Sequence, residues 1–151
     1  MITAVTADDV PEVLELVAAS LAEFGLTFGT GSPTDDELRQ LPASYALAGG
    51  MFWVARKDRA LLGTAGVYPV SPGLFELRKM YLRPAARGLG LGTQLLDTAV
   101  AWAKAQGGTH LALDTMDSMT RAIAFYERHG FVRDDAQKRA SRCTRGYIRA
   151  L

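Results

Sequence analysis

The stretch Arg87–Gly92 (RGLGLG) places one arginine and three glycines between a predicted strand and a predicted helix. Glycine lets a ligand approach the backbone closely, because no Cβ atom stands in the way. The first amides of a helix have no acceptor within the helix and, together with the helix dipole, favour an anion. The arginine adds a pair of donors suited to a phosphate. The Arg-x-x-Gly-x-Gly spacing therefore predicts a turn that holds a phosphate group.

Two nucleotide-binding motifs fit this stretch less well. A dinucleotide fingerprint requires Gly-x-Gly-x-x-Gly directly after a strand, with an acidic residue about twenty positions further on. Here only one residue separates Gly90 from Gly92, whereas the fingerprint requires two residues between its second and third glycines. A P-loop requires a lysine before the hydroxyl residue, whereas Thr93 follows Gly92 directly. The sequence disfavours both motifs, and a tight turn without a ligand stays open as an alternative.

The pattern of apolar residues predicts the elements around this turn. Helical spacing over residues 5–24 predicts a first helix capped by Asp8. A Gly/Ser/Thr/Pro-rich loop at residues 25–36 precedes one or two short helical pieces interrupted by Pro42. The remaining predictions are an antiparallel meander of strands at 51–56, 61–69 (ending at Pro69) and 74–83, a helix at 91–106, a strand at 109–114, a helix from Asp117 or Ser118 to Arg128, and two strands in the tail.

This order predicts the fold class. The strand Leu74–Arg83, the following helix and the strand Thr109–Asp114 form a βαβ unit, whose two strands should be parallel. The other strands follow one another on short connections and should be antiparallel. We therefore expect an α/β (α+β) domain over residues 1–151, with a mixed, mostly antiparallel sheet around a central parallel βαβ unit and helices on both faces.

The charges are unevenly distributed although the net charge is only +1. Residues 1–49 carry eight acidic and one basic side chain, net −7, whereas residues 50–151 carry eight acidic and sixteen basic ones, net +8. The part that contains the glycine turn therefore attracts anions. The low net charge argues against a nucleic-acid partner. The basic tail Arg133–Arg149 contains one aromatic residue, Tyr147, so a solvated hairpin is favoured over a nucleic-acid surface.

Cysteine content and hydropathy indicate the cellular compartment of the protein. Cys143 is the only cysteine, so no internal disulfide can form, which fits a reducing compartment. The first ten residues do not have the pattern of a signal peptide, and no apolar run approaches the ~20 residues that span a bilayer. No group of His, Cys and Asp has metal-ligand spacing. We expect a cytoplasmic protein that uses neither a membrane nor a metal.

Two further features accompany the glycine turn. Residues 81–84 (YLRP) end the strand before it, and residues 126–131 (YERHGF) contain a Tyr-x-x-x-Gly-Phe sequence. In this combination the chain resembles the GNAT superfamily of acyl-CoA-dependent N-acyltransferases, over nearly its whole length. The resemblance implies an N-acetyltransferase that uses acetyl-CoA as co-substrate. Met119 departs from the family pattern, since many members carry a cofactor-contacting asparagine there, a contact that Ser118 could supply instead.

The resemblance also implies where acetyl-CoA binds. The cofactor would lie where the two parallel strands splay apart, with its pantetheine arm paired to strand backbone like an added strand. Its pyrophosphate would lie on the amides of the glycine turn. The implied cofactor-binding residues are Met80, Tyr81, Leu82, Arg87, Gly88, Leu89, Gly90, Leu91, Gly92 and Thr93.

Two residues are candidates for catalysis by direct attack of an amine on the thioester, which requires proton removal from the amine, stabilisation of the oxyanion and protonation of the thiolate. The resemblance implies that Tyr126 is the acid, although the same tyrosine only positions CoA in some members. Glu76 is the candidate base, and the Met80 amide is the candidate oxyanion donor. The alternatives are a core aromatic at Tyr126 and a solvent-facing residue at Glu76.

Strand alternation places Glu76, Arg78 and Met80 on one face, and Leu77, Lys79 and Tyr81 on the other. Arg78 could then bind a carboxylate of the acceptor or simply pair with Glu76.

We expect the acceptor to be a small-molecule amine, whose identity the sequence does not give. The acidic first third suits a cationic amine, whereas Arg78 suits an amino acid. The loop Gly25–Asp36, Tyr45 and Trp53 are expected to shape the acceptor site. A non-catalytic acyl-CoA-binding or sensor module is the alternative function. The last strand could pair with its own sheet or with a second copy, so a homodimer is one of two arrangements.

Overall fold

The computed structural model describes residues 1–29 and 33–151. Within this part of the chain, seven strands form one sheet in the order β1-β2-β3-β4-β5-β7-β6. The strands are β1 (Ile2–Ala4), β2 (Met51–Lys57), β3 (Ala60–Ser71), β4 (Leu74–Leu82), β5 (His110–Thr115), β6 (Val132–Arg133) and β7 (Arg145–Ala150). The helices are α1 (Val10–Ala22), α2 (Ala43–Ala48), α3 (Leu91–Ala105) and α4 (Thr120–Arg128), and a 3₁₀ helix spans Pro33–Gln40.

The sheet has the predicted mixed topology. β1 to β4 pair antiparallel in sequence order, β4 and β5 pair parallel, and β7 pairs antiparallel with β5 and β6. The predicted fold class is therefore confirmed. None of the described helices is both long and apolar enough to cross a membrane.

Helices cover both faces of the sheet, and each face has its own apolar core. On one face α3 buries the predicted stripe, and this stripe packs with β5 and α4. The stripe consists of Leu91, Leu95, Ala99 and Ala103. On the other face α1 packs on β3 and β4 and α2 packs on β2 and β3, with Leu16 and Tyr45 fully buried. β4 contributes residues to both cores and β5 to the core around α3, so packing positions the ends of both strands.

Four details of the predicted elements were wrong. The strand β1 was missed, because three residues are too short to show an alternating pattern. Thr6, not Asp8, precedes the first helical turn, and its amide donates to the Asp9 carboxylate at 2.8 Å. Met119, not Asp117 or Ser118, occupies the N-cap position of α4. β3 does not end at Pro69 but continues through it. Pro69 pairs with Phe75 of β4 but lies beyond Val67, the last β3 residue that pairs with β2, and a proline is tolerated where one side of the strand is unpaired.

β4 and β5 separate along their length. Their pairing extends from Leu74↔His110 to Glu76↔Ala112, although β4 continues to Leu82 and β5 to Thr115. Among the described strands, none therefore pairs with the backbone of β4 after Glu76 on the β5 side. This splay opens the sheet at the end of β4 that leads into the glycine turn.

A bulge in β4 changes which face its side chains occupy. The register with β3 passes from Arg78↔Gly66 to Tyr81↔Thr64, and Lys79 has a φ of 53°. As a result, Met80 packs with the core around α3, whereas Tyr81 packs with the core around α1. The predicted alternation is correct for Glu76 and Arg78 but wrong beyond them, because the extra residue inverts the pattern.

Candidate active site

A cavity of about 600 Å³ lies where β4 and β5 separate. Its walls are the backbone of β4, the glycine turn, the end of β5, α4 and residues 139–143. The cavity brings together most of the residues singled out in the sequence: Glu76, Met80, Tyr81, Leu82, Arg87, Gly88, Gly90, Gly92, Thr93 and Tyr126. Leu89 and Leu91 do not line it, since Leu89 is exposed and Leu91 is buried in the core.

The glycine turn presents unused amides to this cavity. Among the described residues, the amides of Gly88, Gly90 and residues 91–93 donate no hydrogen bond, whereas Arg87 and Leu89 donate to Pro84 and Ala86 within the turn. Gly88 and Gly90 have φ values of 81° and 77°, a conformation that favours glycine. A Cβ atom at either position would meet no protein atom within 4 Å. The turn therefore leaves room beside several free donors.

The third glycine and the arginine of the turn have structural partners. A Cβ atom on Gly92 would lie 3.2 Å from Leu82 Cδ1, so glycine permits the close packing of α3 on β4. Arg87 Nη2 lies 2.9 Å from Glu23 Oε2. This ion pair ties the turn to the end of α1, and it holds the guanidinium at the mouth of the cavity.

Glu76 is buried and only partly satisfied. Its Oε1 accepts a 2.6 Å hydrogen bond from Arg78 Nε. Its Oε2 lies 3.0 Å from Arg139 Nη1, but it accepts no hydrogen bond with acceptable geometry from any described residue. Only 4% of the residue is exposed, so the solvent-facing alternative is wrong. Oε2 is itself buried, so a ligand in the cavity can reach it only after a neighbouring side chain such as Arg139 moves.

Tyr126 is both a core residue and a cavity residue. Its ring packs edge-on against Phe131, with centroids 5.6 Å apart, and the residue also lines the cavity. Burial raises the pKa of its hydroxyl far above the usual value. The hydroxyl therefore keeps its proton at neutral pH and can donate a hydrogen bond.

Tyr45 and Trp53 do not line the cavity. Tyr45 is fully buried with its ring edge-on to Phe52 and Tyr68, and Trp53 is 6% exposed and packs against Trp102. The expectation that they shape the acceptor site was wrong, because these aromatic contacts hold both rings inside the two cores. The predicted acceptor loop contributes Pro33 and Thr34 to the cavity, and its residues 30–32 lie outside the described part of the chain.

Comparison with known proteins identifies the family. The model of the Acetyltransferase (GNAT) family matches residues 17–131. The chain is a GNAT acetyltransferase. It is 34% identical over 125 residues to an uncharacterised N-acetyltransferase of Schizosaccharomyces pombe, a match that covers 82% of this chain and 76% of that protein. It is 33% identical over 130 residues to an uncharacterised N-acetyltransferase of Escherichia coli, over 83% and 78% of the two chains.

Solved structures share the fold. A GNAT-family acetyltransferase from Staphylococcus aureus superposes with a TM-score of 0.91 at 24% identity, over 100% of this chain and 98% of that one. A phosphinothricin acetyltransferase from Sinorhizobium meliloti, determined in complex with AcCoA, superposes with a TM-score of 0.79 at 22% identity, over 100% and 88% of the chains.

The GNAT acetyltransferase also has a buried ion cluster that the sequence did not reveal. Asp35 of the 3₁₀ helix accepts two 3.1 Å hydrogen bonds from Arg142, pairs with Lys79 of β4, and accepts a 2.8 Å bond from the Gly29 amide. Burial alone would raise the pKa of Asp35, but Arg142 and Lys79 hold it below its usual value. Lys79 and Arg142 line the cavity, so Asp35 fixes the position of two cationic side chains in its wall.

The other candidate nucleophiles and bases of the acetyltransferase are unsuited to their roles. Cys143 lines the cavity, but burial raises the pKa of its thiol to about 12, so the thiolate is scarce at neutral pH. His110 and His129 do not line the cavity. The ring of His129 is engaged instead with the Phe125 carbonyl at 2.8 Å. These positions favour chemistry without a protein nucleophile.

Proposed function

We propose that the protein transfers an acetyl group from acetyl-CoA to the primary amine of a small-molecule acceptor, by direct attack in a ternary complex. The observation that carries this proposal is a single cavity in which a free strand edge, unused amides, a partly unsatisfied carboxylate and a protonated tyrosine meet. The AcCoA complex of the Sinorhizobium meliloti neighbour supports the choice of cofactor.

The glycine turn and β4 fit acetyl-CoA. The unused amides of Gly88, Gly90 and residues 91–93 would hold the pyrophosphate, since the amides of Arg87 and Leu89 are occupied within the turn. The backbone of residues 80–82, which lacks a partner on the β5 side, would pair with the amide-containing pantetheine arm. Acetyl-CoA, when bound, supplies the acetyl group as a thioester.

Two side chains and one amide would carry out the proton transfers and the charge stabilisation. Glu76 Oε2 would accept the proton of the acceptor amine, directly or through water. The Met80 amide would donate to the carbonyl oxygen as negative charge develops on it. The Tyr126 hydroxyl, which lines the same cavity, would donate to the departing sulfur as negative charge develops on it.

A thiol-release assay with acetyl-CoA and a broad panel of amines tests the proposal. We expect at least one class of small amines to release CoA well above the rate of hydrolysis. Calorimetry with CoA in the same preparation reports whether the cofactor binds. Binding of CoA without thiol release by any amine would reject the enzyme and favour the alternative of a non-catalytic acyl-CoA sensor.

A further inference from the structure

The acidic residues of the first third do not form an anionic acceptor site. Glu12 and Asp9 pair with Arg56, and Glu23 pairs with Arg87. Glu15 and Glu37 lie within ion-pair distance of Arg83 and Arg78. The acidic segment therefore neutralises basic residues of the second part, and a polycationic acceptor would gain little from it.

The wall around Glu76 is instead rich in cations. Four basic side chains line the cavity near it: Arg78, Lys79, Arg139 and Arg142. Lys79 and Arg142 share the single charge of Asp35, and both side chains are largely buried. Because charges interact strongly in such a partly desolvated site, this wall favours an acceptor that brings a negative charge with its amine.

Arg139 is the cation best placed to receive that charge. Its backbone amide is anchored on Asp114 Oδ2 at 2.7 Å, and its Nη1 and Nη2 donate to Gln137 at 2.8 and 3.2 Å. A guanidinium has five N–H donors, so donors remain beyond these two bonds. Nη1 also lies 3.0 Å from the unsatisfied Glu76 Oε2. A negative and a positive group thus stand side by side at the cavity wall.

We propose that the acceptor is an α-amino acid, with its amine at the Glu76 carboxyl group and its carboxylate on Arg139, the two residues that line the same part of the cavity. In an α-amino acid the nitrogen and the carboxylate carbon are only about 2.5 Å apart, which matches the adjacent, opposite charges of Glu76 and Arg139. An amine without a carboxylate would add one more cation to the cationic wall and would leave Arg139 without a ligand. This inference rests on the proposed acetyl transfer and names its acceptor class.

Matched acceptors test the inference in the unmodified protein. Thiol release is measured with phenylalanine, methionine, glutamate and lysine, each beside its decarboxylated amine and its α-amide. We expect kcat/KM to be at least about 10-fold higher for the preferred amino acid than for both analogues, because a charge-assisted contact is lost. Equal or higher rates with the decarboxylated amines would overturn the inference and leave the acetyltransferase standing. Absence of thiol release with every acceptor would reject the proposed function itself.

Substitution of Arg139 separates recognition of the carboxylate from other effects. Arg139→Gln should raise KM for the preferred amino acid about 10- to 100-fold, whereas KM for its decarboxylated amine should stay the same or fall, because one cation leaves the wall. Arg133→Gln is the matched control, because Arg133 lies in the same tail, is about half exposed and pairs with Asp135 rather than facing the cavity. An equal loss with both kinds of acceptor in Arg139→Gln would overturn the role of Arg139.

Discussion

The carboxylate of Glu76 is held through one oxygen, while its other oxygen is buried without a hydrogen bond from any described residue. Arg78 Nε donates to Oε1 at 2.6 Å, and Glu37 Oε2, which does not line the cavity, lies 3.4 Å from Arg78 Nη1. This arrangement orients the proposed base without occupying it. The nearby Arg139 adds a cation but no hydrogen bond to Oε2. A substitution that keeps the shape and removes the basicity is therefore the sharpest test.

Glu76→Gln should lower kcat for amine acetylation about 100-fold at pH 7, because an amide cannot accept the proton of the ammonium group. The loss should shrink as pH rises, since the free amine then forms without the protein base. Initial rates of thiol release from pH 6 to 10 measure both effects. Glu37→Gln removes the other carboxylate near Arg78 and should retain most activity. A loss in Glu76→Gln that does not change with pH would contradict the role of base.

Tyr126→Phe should lower kcat about 100-fold while changing KM for acetyl-CoA little, because the ring packing on Phe131 remains and only the proton donor is lost. Since burial raises the pKa of Tyr126, wild-type kcat should show no loss from this group between about pH 7 and 10. Tyr147→Phe is the control, as Tyr147 is buried but does not line the cavity. An unchanged kcat in Tyr126→Phe would reject the role of Tyr126 as the acid and would leave it only the role of positioning the cofactor.

At the scale of elements, the site depends on the separation of two parallel strands and on the turn that follows one of them. The turn leaves its amides free because Gly88 and Gly90 take positive φ values that direct the chain into α3. The open space beside both glycines is available to a ligand rather than filled by the protein. A charge introduced there should act on the ligand and not on the core.

Gly90→Asp should weaken CoA binding by at least about 10-fold, because its carboxylate would face the pyrophosphate across the free amides. Gly90→Asn is the matched control, since asparagine tolerates a positive φ about as well as aspartate and has nearly the same size. The control should lose clearly less affinity. Isothermal titration with CoA at low and high salt measures the difference, which should narrow at high salt. Equal affinities of the two variants for CoA would mean that the pyrophosphate does not bind at this turn.

Elements that are determined by the pattern of neighbouring residues could be predicted from the sequence, whereas features that depend on distant residues could not. The meander, α3 and β5 were correctly predicted, because strand alternation and the stripe of Leu91, Leu95, Ala99 and Ala103 are local patterns. The bulge at Lys79 was not predicted, because the Lys79 side chain pairs with Asp35, which is distant in sequence and lies on another element. The positions of Arg139 and Arg142 in the cavity could not be predicted either, because their partners Glu76 and Asp35 are distant in sequence. The excess of basic residues in the tail was nevertheless visible in the sequence.

At the scale of the whole molecule, the uneven charge distribution becomes a set of ion pairs between the beginning of the chain and the rest. Asp35 is the most buried member, with no exposed area, and it joins the 3₁₀ helix, β4 and the tail through Lys79 and Arg142. Removal of one partner from a buried pair leaves an uncompensated charge. The stability of the fold should therefore depend on this single carboxylate.

The stability contributed by Asp35 should vary with pH in a definite direction. Arg142 and Lys79 hold the pKa of Asp35 below the ordinary 3.8 despite its burial. The unfolded chain therefore binds this proton more readily than the folded protein does. The contribution is complete above the ordinary pKa, and it is lost as pH falls through the lower folded value.

Asp35→Asn should cost about 3–5 kcal/mol of unfolding free energy at pH 7, because it leaves Lys79 and Arg142 without their shared carboxylate. The difference between wild type and variant should narrow as pH falls below about 4, since protonation then removes the charge from the wild type as well. Urea unfolding at a series of pH values measures both quantities. Asp36→Asn, at the exposed neighbouring position of the same 3₁₀ helix, should change stability little. A difference between wild type and Asp35→Asn that stays constant with pH would mean that the packing of Asp35, and not its charge, joins the beginning of the chain to its end.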